Sequence, residues 1–134
     1  MLQEVLLEQP DGRWRMCCGC VMLNMTSREQ AEPVRREFFR WYPTHRAAAT
    51  EMPLRRGETV ELLEAMGMQR RRFRTLYRLS LDWQRLGEPS GAGELASEYY
   101  GMGRYAGNSW RVFVEGRKDV DPGDGALREH MGLD

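Results

Sequence analysis

The sequence predicts an all-α fold, a compact helical domain, and three observations lead there. Apolar residues recur at helical spacing through most of the chain, clusters of Gly, Pro and Ser interrupt that spacing at short intervals, and no two segments alternate as paired strands would. A chain of 134 residues can bury a real core but has no room for a separate recognition domain, so residues 1–134 are expected to act as one domain.

Leu2, Val5 and Leu6 share a helical face, and Gln9-Pro10-Asp11-Gly12 ends it in a turn. Residues 14–25 are mostly apolar without strand alternation, which predicts a central buried helix closed by Thr26 and Ser27. Ser27 and Gln30 have the spacing of a capping box, so a helix is expected over about 28–41, with Val34, Phe38, Trp41 and Tyr42 facing inward and Pro33 near its first turns. Tyr42-Pro43 stops it, and a short helical stretch over 44–50 precedes a loop around Pro53. Val60, Leu62, Leu63 and Met66 mark a helix over 58–66 that Gly67 terminates; Phe73, Leu76, Tyr77, Leu79, Leu81 and Trp83 mark a long one over 69–86. Beyond a Pro/Gly/Ser loop at 88–93 come a short helix over 94–100, a tight turn at Gly101-Met102-Gly103 and a helix over 104–114. A turn through Asp121-Pro122-Gly123 leads to Asp124, placed to cap a last helix over about 125–131.

The balance of 41% apolar and 30% charged residues excludes a disordered chain, and the longest uncharged stretch, 16–27, is too short to span a bilayer, so no membrane association is expected. Glu4 and Glu8 flank the short apolar run 5–7, which does not read as a secretory signal; the expected location is intracellular, cytoplasmic and nucleoid-associated if the partner is DNA. The formal net charge is zero, so a nucleic-acid binder must concentrate positive charge locally. Arg70, Arg71, Arg74 and Arg78 can share one helical face, either as a solvated surface that Glu61, Glu64 or Asp82 neutralises or as phosphate contacts. Cys17, Cys18 and Cys20 are too close in sequence to bridge comfortably and have no histidine near them, so they read as reduced, small apolar residues of a buried helix. No metal and no cofactor is expected.

Residues 99–106, Tyr-Tyr-Gly-Met-Gly-Arg-Tyr-Ala, have the form apolar-x-Gly-apolar-Gly between two helices. Paired glycines let the backbone turn tightly with its amides exposed, and amides at a helix start can bind phosphate oxygens. Alone, this fits a plain turn as well as a DNA contact. Likewise, the immediate neighbours of Asp124 describe only a helix cap.

Taken in order along the chain, several segments together resemble the helix-hairpin-helix DNA glycosylases. They are Leu2-Gln3-Glu4-Val5-Leu6, Trp14 with Leu23-Asn24-Met25-Thr26-Ser27, Pro33-Val34 through Glu37-Phe38 to Tyr42-Pro43, Met66-Gly67-Met68 with Arg72, the 99–106 hairpin, Asn108-Ser109 and Asp121-Pro122-Gly123-Asp124. The likeness covers nearly the whole chain and is greatest to the catalytic domain of the mismatch-specific thymine and uracil branch that also carries a methyl-CpG-binding domain.

That resemblance implies double-stranded DNA as partner, extrusion of one nucleotide into a pocket, and hydrolysis of its N-glycosidic bond. It makes Asp124 the catalytic carboxylate, stabilising positive charge on the sugar and orienting or deprotonating water. Bifunctional members place a lysine two residues after the second hairpin glycine, where this chain has Tyr105. The resemblance therefore implies a monofunctional enzyme that leaves an abasic site, with Tyr105 at the catalytic centre and lining the base pocket. Gln3 matches a glutamine that reads the flipped pyrimidine; without that role it is expected to be an exposed residue of the first turn. Met25, Thr26, Ser27 and Met68 fall where the family enters the minor groove and fills the hole left by the flipped base. The family has arginine at the first wedge position and leucine at the second, so Met25 lacks hydrogen bonds to the unpaired base; core packing is the alternative role for both methionines. Arg72, Gly101, Gly103 and Arg104 are implied DNA contacts. The four cysteines of the cluster-bearing branch have no counterparts beyond Asp124, and the family's last helices are short here, so a partner or a second copy is expected to cover that end.

Three functions remain open at this point: excision of thymine, uracil or a modified pyrimidine; a glycosylase-like viral enzyme that modifies altered thymine without excising it; and a DNA-binding module without catalysis.

Overall fold

A computed structural model describes residues 1–119 and 125–132. Among them are nine α-helices and no strand, as the helical spacing predicts: α1 (Leu2–Leu7), α2 (Gly12–Leu23), α3 (Arg28–Trp41), α4 (His45–Glu51), α5 (Arg56–Leu63), α6 (Gln69–Leu86), α7 (Ala92–Glu98), α8 (Arg104–Ser109) and α9 (Gly125–Met131). Residues 121–124, where the sequence predicts a turn ending in Asp124, lie outside the described residues.

Beyond its first turn, which carries Arg13 and Arg15, α2 is almost wholly apolar, and a helix of that kind must be largely surrounded. Trp14, Met16, Cys17, Cys18, Cys20 and Met22 are all buried, with α1, α3, α6 and α8 packed around them. The indole of its first turn is satisfied: Trp14 Nε1 donates to Ser80 Oγ at 3.1 Å, and Ser80 donates to the Leu76 carbonyl. The three cysteines are free thiols, and burial pushes those of Cys17 and Cys18 well up, which keeps them protonated. Two glycines let α1 approach closely. A Cβ at Gly12 would lie 2.2 Å from the Leu7 carbonyl oxygen, and one at Gly19 would lie 2.6 Å from Leu6 Cδ1.

α3 begins with the capping box: the Gln30 amide donates to Ser27 Oγ and the Ser27 amide to Gln30 Oε1, each at 3.2 Å. Its inner face stacks rings edge to face, with centroids of Phe38–Phe39 at 5.4 Å, Phe38–Tyr42 at 5.2 Å and Trp14–Phe39 at 5.6 Å. Trp41, expected to face inward, instead sits half-buried at the edge of that face under the Arg55 guanidinium, 4.4 Å from its ring. The N-terminus of α4 is capped twice, by Thr44 Oγ1 accepting from the Ala47 amide and by the Asp11 carboxylate accepting from the His45 amide at 2.8 Å.

Three elements differ from the sequence expectation. The loop around Pro53 is a 3₁₀ turn, Met52–Arg55, because Met52 is drawn into the core. The helix expected over 58–66 starts earlier and tightens into a 3₁₀ turn at Glu64–Met66 before Gly67. The helix over 104–114 ends as α8 and continues as a π-helical turn, Trp110–Val114, closed by the Glu115 amide on the Trp110 carbonyl. No described helix is long and apolar enough to cross a membrane.

Since Gly12 leaves no room for a Cβ against backbone, Gly12→Ala is expected to lower the unfolding free energy by about 2 kcal/mol. A urea titration checks this; an unchanged midpoint would mean that α1 is not tightly seated on α2.

Candidate functional site

The last carbonyls of a helix have no partners within it, and those of α2 need donors from elsewhere. Arg72, in the first turn of α6, supplies them. Its buried guanidinium donates from Nη1 to the Val21 carbonyl at 2.6 Å and the Met22 carbonyl at 3.3 Å, and from Nη2 to the Asn24 carbonyl at 2.7 Å. Nε donates to the Gly67 carbonyl at 3.0 Å. Burial lowers its pKa, but an arginine remains cationic, and the negative end of α2 is a favourable place for it. Arg72, which the resemblance implies as a DNA contact, lines the cleft described below, but it is only 3% exposed and its guanidinium is committed to four carbonyls. A signal for this existed in the sequence, because Arg72 continues the inward stripe of Leu76, Leu79 and Trp83.

The two turns that Arg72 ties together carry Met25 and Met68. Both adopt left-handed backbone, with φ of 63° and 46°, and they are 85% and 42% exposed. Such a conformation costs a residue with a Cβ about 1 kcal/mol or more, and strain of this kind concentrates at functional positions. Core packing is thus not the role of Met25. Thr26 Oγ1 donates to the Met22 carbonyl and Ser27 caps α3, so these two side chains shape the turn that presents Met25.

The turn between α7 and α8 is fastened to α6. Tyr99 leaves the helix, buries its ring against Trp83 with centroids 5.4 Å apart, and donates to the Gly87 carbonyl at 2.6 Å. The Tyr100 amide donates to Asp82 Oδ2 at 2.8 Å, and Met102 is buried. Gly101 has φ 76°, and a Cβ there would lie 2.3 Å from Thr75 Cγ2, so the fold itself demands glycine. Gly103 is different. Its φ is −105° and a Cβ would meet nothing within 4 Å, so neither strain nor crowding among the described residues explains it.

Between the end of α2, the start of α6 and this turn lies a cleft of about 350 Å³, whose rim includes Met68, Arg71, Gly103, Arg104 and Tyr105. Arg71 and Arg104 are exposed there. Arg70, Arg71, Arg74 and Arg78 lie exposed on α6, and no ion pair to any of them occurs among the described residues; Arg78 covers the Tyr100 ring at 4.9 Å. Asp82, which could have neutralised them, is turned to Arg85 and the Tyr100 amide.

Gln3 corrects another expectation. It is buried, not exposed, because it lies on the same face of α1 as Leu2 and Leu6. Its Nε2 donates to the Tyr105 hydroxyl at 3.0 Å and to Ser109 Oγ at 3.3 Å, joining the first helix to α8. Gln3 Oε1 is buried without a hydrogen-bond partner, a deficit of about 1–3 kcal/mol that calls for an explanation. The structure thus brings Gln3 to Tyr105, and Met68, Gly103 and Arg104 to one cleft, while Met25 projects from the turn at its α2 end.

Over 128 residues the chain is 30% identical to the Methyl-CpG-binding domain protein 4-like protein of Arabidopsis thaliana. That likeness takes in nearly the whole chain. The matched region is 95% of this chain and 26% of the plant protein, so the chain spans about a quarter of its relative's length. No protein-family model matches the chain.

Two substitutions at the site should move stability in opposite directions. Arg72→Met strips four carbonyls of their donor and should cost about 3 kcal/mol, whereas Met25→Gly relieves left-handed strain and should gain about 1 kcal/mol. Urea unfolding of both variants checks the pair; a neutral Arg72→Met would remove its assigned role.

Proposed function

We propose that the chain is a monofunctional DNA glycosylase that flips thymine, uracil or a modified pyrimidine out of a duplex and hydrolyses its N-glycosidic bond. The observation that carries this reading is the buried Gln3 amide, held against Tyr105 with its carbonyl oxygen unpartnered. A pyrimidine imide offers an N–H between two carbonyls, and an amide is its natural complement: Oε1 can accept the N–H that nothing in the described chain supplies. The likeness to the plant protein over nearly the whole chain supports the same reading.

In this mechanism Met25 and Met68 enter the stack as the target nucleotide leaves, their strained turns holding apolar side chains outward. Amides at Gly101 and Gly103, together with Arg71 and Arg104, receive backbone phosphates, and Gly103 leaves room for one to approach. Thr26 and Ser27 belong to the same DNA-facing turn. Tyr105 packs beside the flipped base, with its hydroxyl oriented by Gln3. Asp124 stabilises the positive charge that develops on the sugar and directs water to it. With tyrosine where bifunctional relatives have lysine, no amine attacks the sugar, so the product is an intact strand with an abasic site. That chemistry is the first step of base excision repair.

The test uses duplexes containing G·T, G·U or 5-hydroxymethyluracil, incubated with the whole chain and then treated with alkali. Strand breaks should appear only after alkali, and Asp124→Asn should slow their formation by roughly a thousandfold. Binding to every duplex without breaks would reassign the protein as a DNA-binding module. Alteration of hypermodified DNA with the base retained would reassign it as a modification enzyme.

A further inference from the structure

At the opposite end of α2 from the cleft, a recess of about 320 Å³ is lined by Gln9, Arg15, Arg35, Arg36, Phe39 and Arg40. We propose that this recess is a second anion site, built to take a phosphate-type oxyanion. It stands independently of the excision reading, since none of its residues belongs to the cleft.

Arg15 is the core of the argument. It is 8% exposed, lies over the Phe39 ring at 5.1 Å, and donates only to neutral acceptors, Gln9 Oε1 and the Pro43 carbonyl, each at 2.8 Å. Its Nε is buried with no partner at all. Burial lowers its pKa and Asp11 opposes that, but the guanidinium stays cationic. The Asp11 carboxylate is already occupied, by the His45 amide and ring. Across the recess Arg35, also 8% exposed, and Arg36 share one carboxylate, Glu32, while Arg40 pairs with Glu37. Four arginines therefore line a recess to which α3 contributes two carboxylates, and of the two buried ones Arg15 pairs with no carboxylate.

A buried cation without a counter-ion is costly, and an oxyanion seated among these forks would remove that cost and satisfy Arg15 Nε. Arginine suits the task because its planar fork meets two oxygens at once. The ligand has two possible sources. From Arg15 to Asn24 the helix rises about 14 Å, so a duplex lying on the cleft could bring a more distant backbone phosphate here; a free phosphate group has the same chemistry.

Isothermal titration with inorganic phosphate, at constant ionic strength in chloride, tests the site on the whole chain. The wild type should bind saturably, and its unfolding midpoint should rise by roughly 4 °C at ten times the dissociation constant. Arg36→Gln with Arg40→Gln, both at exposed positions, should weaken phosphate binding at least about tenfold, as should Arg15→Lys, which keeps the charge and loses the fork. The salt dependence of binding to an unmodified duplex separates the sources. A slope that falls by about one to two in the double variant identifies a DNA phosphate; an unchanged slope with lost phosphate binding identifies a free oxyanion. Equal stabilisation of wild type and variants by phosphate, with an unchanged slope, would overturn the proposal.

Discussion

A helix sunk in the core must find partners for its terminal carbonyls, and the way α2 meets that requirement shapes the rest of the molecule. Its largely apolar surface puts it at the centre, and one guanidinium from α6 closes its C-terminus beside the cleft. Because the same guanidinium also holds Gly67, the turn after α2 and the turn before α6 become a single rigid edge. The methionines of that edge owe their positions to an arginine that never reaches the surface.

The groups assigned to function are those that folding alone would not choose. Two methionines in left-handed backbone and an amide oxygen without a donor all subtract from stability. They are tolerated because the opposite side of α2 is dense with rings: Trp14, Phe38, Phe39 and Tyr42 pack edge to face, and Tyr42 and Thr59 satisfy one another at 2.7 Å.

Much of the fold could be read from local pattern. The limits of α3 and α6 follow from a capping box, a Tyr-Pro stop and amphipathic stripes, all of which act over a few residues. The thiols of α2 read as core for the same reason. What escaped the sequence reading depends on partners far away in the chain. Gln3 looks exposed until α8 is brought against α1, and Arg72 stands in a run of four arginines where only its register with Leu76 and Trp83 distinguishes it. The π-helical turn after α8 has no signature in apolar spacing, and nothing in the residues flanking Met25 foretells its positive φ. Resemblance singled out Met68, Gly103, Arg104 and Tyr105, which line one cleft, but not the geometry that brings them there.

The bond from Gln3 to Tyr105 joins residues 102 positions apart, almost the ends of the chain. Contacts of such separation cannot form until the intervening chain has been gathered, and the entropy of closing so long a loop is recovered only when everything between is in place. The pocket is consequently a late product of folding. A chain in which α8 has not yet met α1 lacks this bond. The groups around Gln3 and Tyr105 are therefore held in place by the whole fold and not by any one segment of it.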